Sequence, residues 1–214
     1  MGLIDSLEPI FKLLPEVKGP EVRPTLNRRI MWSLIGLVLF FVMGSVTVIG
    51  IAPSSAGNLQ QLQIILASQI GTLITIGIGP VVLASIILQL LVGGGLLKID
   101  LTNPKDKAKF TSMQKLLAIL LAFVEGSVYV FSGLIAPQPG WLPLVILQIA
   151  LGSIILLYLD EVISKYGIGS GISLFIAGGF AVHVIWRIFN PTALLADGSA
   201  ILDLGNANGL LFLF

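Results

Sequence analysis

Glu125 is the ionisable residue that most needs an explanation. It sits near the middle of the apolar run LLAILLAFVEGSVYVFSG (116–133), where a charge costs about 2.5–3.5 kcal/mol on insertion scales. Three roles suit it: a proton-coupling site, a polar member of a moving helix interface, or a neutral acid hydrogen-bonded to a neighbouring helix. Gln89 and Gln148 are further polar groups inside apolar runs, and joining helices is the role that fits them. His183 has no Cys, Asp or Glu at metal-ligand spacing and reads as interfacial. Asp160 and Glu161, beside Lys165, read as a cytosolic helix end whose carboxylates reach water rather than as a catalytic pair. No GxxxxGK[ST] loop is present, and GIGSGIS (167–173) lacks both the GxGxxG spacing and the GxSxG elbow, since Ile168 stands two residues before Ser170. These residues support no enzyme, cofactor or metal, so anything the protein moves is driven by a partner or a gradient.

A second kind of chemistry is the exclusion of water. In IGTLITIGIGPVVLASIILQLLV (70–92), Ile74, Ile78 and Val82 fall at helical spacing among Gly71, Gly77, Gly79 and Pro80. In YGIGSGISLFIAGGF (166–180), Ile168, Ile172 and Ile176 recur every four residues among five glycines. Small residues let backbones approach closely, and a proline inside a span releases a backbone group that lipid cannot satisfy, so both stretches should face protein or a cavity. Two readings follow. The stripes are ordinary helix-packing faces, or they are aliphatic walls of a constriction that closes by dewetting.

The elements that must position these groups are membrane spans. Of the 214 residues, 56% are hydrophobic and 11% charged, and mean hydropathy is +1.01, whereas soluble domains carry about 25% charged residues. Cysteine is absent, which removes disulfide and thiolate chemistry. Five stretches are long enough to cross about 30 Å of hydrocarbon: 30–51, 71–95, 114–136, 141–163 and 169–189. Eleven of the twelve bases lie before the first span, around the second-to-third loop, or at Lys165, with only Arg187 elsewhere. The positive-inside rule then puts the amino terminus in the cytosol and 52–69, 137–140 and 190–206 outside.

Residues 1–29 mix acids with bases and are no secretory signal; Leu3, Leu7, Ile10 and Leu14 share a face, with Lys12 and Lys18 placed for head groups, so the stretch reads as an interfacial helix or else as a loosely ordered tail. LTNPKDKAKF (101–110) reads as a solvated turn. AGNLQQLQIILASQ (56–69) is apolar but too short to cross, so it is either re-entrant or lies on the outer leaflet. Residues 190–214 read as an external loop followed by the truncated start of a sixth span at GLLFLF, which suggests half of a larger bundle.

IGTLITIGIGP (70–80), VVLASIILQLLVGGG (81–95) and YLDEVISKYGIGSGISLFIAGG (158–179) closely resemble the SecY family, the large subunit of the Sec protein-conducting channel, in its archaeal form. The likeness covers nearly the whole chain as the amino-terminal half. It implies an all-α bundle in the cytoplasmic membrane: five spans plus a short re-entrant plug helix, half of a ten-span inverted-repeat channel. It further implies a pore ring that includes Ile78, Val82, Ile172 and Ile176, and a plug over Asn58, Leu59, Leu62, Ile65, Leu66 and Gln69. One wall of a lateral gate would include Leu83, Gln89 and Glu125, with Leu83 standing where members often carry a hydroxyl residue. The implied partners are a SecE-type small subunit, a further small Sec subunit, a ribosome or other cytosolic motor, signal sequences and unfolded polypeptides, lipid, and the second half of the subunit. No nucleic acid is bound apart from ribosome contact. The rival reading is half of a secondary transporter with Glu125 as its coupling carboxylate.

Overall fold

A computed structural model describes residues 14–22, 24–51, 71–97, 99–189, 192–194 and 200–202. Among them the chain forms helices α1 (Leu26–Ser45), α2 (Gly79–Gly93), α3 (Pro104–Phe131), α4 (Leu142–Tyr166) and α5 (Gly171–Phe189), followed by strands β1 (Thr192–Leu194) and β2 (Ala200–Leu202). The strands pair antiparallel with Ala193 opposite Ile201, a short addition to a chain that is otherwise helical, as the expected all-α bundle requires. The expected interfacial helix falls mainly on residues 1–13 and the expected plug on 58–69, both outside the described residues; 14–22 contain no helix.

α1, α3 and α4 are long and apolar enough to cross a membrane, whereas α2 and the Gly171–Ile185 part of α5 are apolar but shorter. The 15 residues of α2 rise only about 22 Å, and what precedes them is not helix. Gly71 (φ 90°) and Gly77 (φ 66°) adopt the left-handed region, which ends a right-handed helix wherever it occurs. The expected helix from residue 71 is therefore wrong, and Ile74 shares no helical stripe with Ile78 and Val82. Pro80 causes no kink: it lies in the first turn of α2, where its missing N–H has no intrahelical partner to lose.

Irregular backbone at membrane depth survives only inside protein, with its polar groups satisfied there. Residues 71–78 meet both conditions. Val48 N donates to the Gly71 carbonyl (2.9 Å) and Leu73 N to that of Val46 (3.0 Å), so the segment leaving α1 pairs with the segment leading to α2. Gly71 N donates to Thr75 Oγ1 (3.1 Å), and Ser153 Oγ of α4 donates to the Gly77 carbonyl (3.1 Å). Ile74, Thr75 and Ile76 are all buried.

The helix around which the others gather is α4, which packs against α1, α3 and α5, while α2 packs on α3. α1 turns Ser33, Gly36, Phe40 and Met43 inward at helical spacing and leaves Leu34, Val38 and Val42 exposed, as a span facing lipid should. α3 begins ten residues before the expected 114, so most of the presumed 101–110 turn is helix. Pro104 suits a first turn and Asp106 the positive end of the helix dipole. Just ahead, the Asp100 carboxylate accepts from the Thr102 hydroxyl (2.6 Å) and N–H (3.0 Å), bonds that lower its pKa.

Gly152 on α4 faces the backbone of Leu73, and a Cβ there would overlap the Leu73 carbonyl oxygen. Gly152→Ala should therefore destabilise the protein by about 1–3 kcal/mol, the usual range for overpacking, read as a lower thermal midpoint in detergent. Gly93→Ala, where a Cβ meets open space, serves as the control. Equal midpoints would mean that Leu73 does not pack on α4.

Candidate functional site

The two isoleucine stretches meet at the α1–α4–α5 junction. Ile78, at the N-cap of α2, is 2% exposed and belongs to an apolar cluster with Phe40, Met43, Leu156, Ile163 and Phe175, against which Val82 and Ile172 also pack. Ile172, the second residue of α5, reaches a neighbouring cluster of Val81, Ala84, Ala118 and Leu157 as well. Ile176, one turn along, lies outside both clusters and is 39% exposed. Ile168 precedes α5 and is exposed, so the 168–172–176 stripe is cut to its last two members. Branched aliphatic side chains gathered in this way exclude water and offer no hydrogen bond.

The start of α5 is held from two sides. Asp160 Oδ1 on α4 accepts from Ile172 N at 2.8 Å and is approached by Ser164 Oγ and Ser170 Oγ at 3.4 and 3.5 Å. α5 has no acid in its own first turn, so a carboxylate from the adjacent helix meets its positive end. From α1, Arg29 Nε donates to the Gly167 carbonyl (2.9 Å) and Ser33 Oγ accepts from Ile168 N (2.9 Å). GIGSGIS thus serves as a fastened helix start.

The expectation that Glu161 reaches water is wrong. Glu161 is 9% exposed and lies between Lys115 Nζ of α3 (2.8 Å) and Lys165 Nζ (2.9 Å). The physical reason is helix length: α3 starts early and α4 runs to Tyr166, so the carboxylate sits between helices rather than beyond their ends. Lys115 is itself buried, 6.0 Å from the Tyr158 ring centroid. Residues 16–18 cross this end of α4. Lys165 Nζ meets Glu16 Oε1 (3.5 Å) and the Val17 carbonyl, and the Tyr166 hydroxyl donates to the Lys18 carbonyl (2.8 Å).

The remaining candidates are dispersed. Leu83 and Gln89 are exposed on α2, and Glu125 is partly buried on α3; among the described residues no hydrogen bond or ion pair connects these three. Among the described residues Gln89 joins no helices; its Nε2 donates to Ser85 Oγ of its own helix (3.0 Å). Gln148 does join segments: its amide accepts from Ile49 N and donates to Ile49 O, each at 3.1 Å. His183 is half-buried on α5. Sequence reasoning passed over Ser153 and took Asp160 only as part of a helix end. The available signal was a hydroxyl inside the apolar run 141–159 and an acid two helical turns later.

Two family models match: SecY over residues 72–214 and "Plug domain of Sec61p" over 38–71. The protein translocase subunit SecY of Methanothermobacter thermautotrophicus is 42% identical over 212 residues, covering 99% of this chain and 46% of that protein. Its counterpart in Aeropyrum pernix is 45% identical over 197 residues, 88% of this chain and 43% of that one. Among solved structures, one described as "The structure of a protein conducting channel" aligns with TM-score 0.76 and 45% identity over 86% of this chain and 43% of its own. Canine "Sec61 in the Canine ribosome-channel complex from the endoplasmic reticulum" gives the same four values. The chain spans about half the length of the curated relatives it matches. A transporter coupled through Glu125 finds no support in them.

The buried ion pairs make a measurable claim. Glu161→Leu would strand Lys115, so destabilisation of about 3–5 kcal/mol is expected, as for other broken buried pairs. Lys115→Met in the same chain should recover part of it, because Lys165 retains access to solvent. Denaturant midpoints of the two single variants and the double variant check this, and simple additivity would refute the pairing.

Proposed function

The chain belongs to the SecY family, and from that membership we propose that it supplies half of the pore-forming subunit of a Sec translocation channel. The whole subunit passes unfolded polypeptides across the cytoplasmic membrane and releases hydrophobic segments sideways into lipid. The observation that carries this reading is the convergence of Ile78, Val82 and Ile172, from two different helices, on one apolar cluster.

In this reading Ile78, Val82, Ile172 and Ile176 form part of a pore ring. Aliphatic side chains suit a ring because they close against water yet hold no particular sequence. The exposure of Ile176 is what a ring member needs if its neighbours come from the other half. Residues 58–69, including Asn58, Leu59, Leu62, Ile65, Leu66 and Gln69, act as the plug, a role supported by the plug-domain match. Leu83, Gln89 and Glu125 lie on one wall of the lateral gate. Arg29, Lys115 and Lys165 share one end of the bundle, and the positive-inside rule assigns that end, with the amino terminus, to the cytosol. A ribosome is the partner best supported, since one structural relative is described in a ribosome-channel complex; a SecE-type subunit and a further small subunit complete the assembly.

The test uses the complete subunit in vesicles. Replacing Ile78, Val82, Ile172 and Ile176 together with glycine should raise resting ion leakage several-fold while protein abundance stays level. Leakage equal to that of the unmodified channel would remove these residues from the seal.

A further inference from the structure

Ser153 and Asp160 both project from α4, and each holds backbone at the start of a different helix. Ser153 is 2% exposed, and its hydroxyl donates to the carbonyl of Gly77, the residue immediately before Ile78. The Asp160 carboxylate accepts from the N–H of Ile172 itself. The two residues are seven positions apart, close to two full turns, so they share a face and lie about 10.5 Å apart along the axis. The backbone segments approach closely beside both bonds. At Gly152, next to Ser153, a Cβ would overlap the Leu73 carbonyl, and at Gly171, next to Ile172, a Cβ would lie 2.7 Å from Asp160 Cα.

We propose that Ser153 and Asp160 are positioning residues through which α4 sets the spacing between Ile78 and Ile172, and hence how tightly the constriction closes. The proposal rests on the channel reading for its consequence but not for its geometry. α2 packs chiefly on α3 and shares an apolar cluster with Leu157 of α4 through Val81 and Ala84; the side-chain hydrogen bond that ties its start to α4 is the one from Ser153 to Gly77. A hydroxyl and a carboxylate are apt for this: each binds main chain, so the spacing does not depend on which aliphatic residues occupy the ring.

The experiment again uses the complete subunit in vesicles, with Ser153→Ala, Asp160→Ala and Asp160→Asn. Spin labels attached at Ile86→Cys on α2 and Phe180→Cys on α5, both exposed positions, report the distance between the two helices. Ser153→Ala and Asp160→Ala should lengthen or broaden that distance and raise resting leakage several-fold. Asp160→Asn keeps an oxygen for the Ile172 N–H and should stay near the parent on both readouts. A purely structural role predicts lower thermal midpoints with the distance unchanged, and that result overturns the proposal. Ser153→Ala deletes a single oxygen, so the question remains answerable if Asp160→Ala does not assemble. An altered distance without leakage, where the glycine ring variants also fail to leak, retains the spacing role and overturns the channel reading instead.

Discussion

Lipid supplies no hydrogen bonds, and that constraint shapes everything around residues 71–78. Eight residues of non-helical chain lie in an apolar bundle, and each polar backbone group there needs a protein partner. The partners come from the loop after α1, from Thr75, and from Ser153 on α4. Meeting that demand requires α4 to come within backbone distance, which only a residue without a side chain at position 152 permits. The broken helix, the glycine and the buried serine are therefore one arrangement, and Ile78 is placed by it.

The second organising feature is electrostatic. Glu161 sits between two ammonium groups carried by different helices, and Asp160, one residue earlier, faces the opening turn of α5. Adjacent carboxylates on a helix point about 100° apart, so a single pair of acids fastens α4 to α3 on one side and to α5 on the other. Arg29 and Ser33 add α1 to the same junction. The end of the bundle that carries the basic residues is thus held by charge and hydrogen bonds, whereas the waist near Ile78 is held mainly by apolar packing.

Much of this was legible in the sequence, and the failures have physical causes. α1 and α4 could be read because uninterrupted apolar runs of spanning length have few other solutions in a membrane. Gln148 was correctly assigned to joining segments, since an amide within an apolar run must find partners. The start of α2 was misread because glycine and proline inside an apolar run signal a helix break without saying on which side of the break the helix survives; the left-handed φ at Gly77 decided it. Glu161 was misread because its burial depends on where α3 begins, and the charged residues 105–109 resemble a loop when viewed apart from Pro104 and Asp106. The clamp by Ser153 and Asp160 was invisible because its partners are main-chain atoms, which leave no pattern in residue types. The apolar stripes themselves could not separate packing from pore lining, and Ile78, buried in a packed cluster while heading a broken helix, shows why the two overlap.

The short crossing of residues 16–18 over the end of α4 carries a temporal consequence. Glu16 and Lys18 meet Lys165 and Tyr166, partners 149 and 148 positions later in the chain. A ribosome adding about 5–20 residues per second delivers those partners many seconds after the first segment has emerged. The amino-terminal stretch therefore stays undocked throughout the synthesis of the first three helices, and its docking marks the moment at which the fourth has arrived.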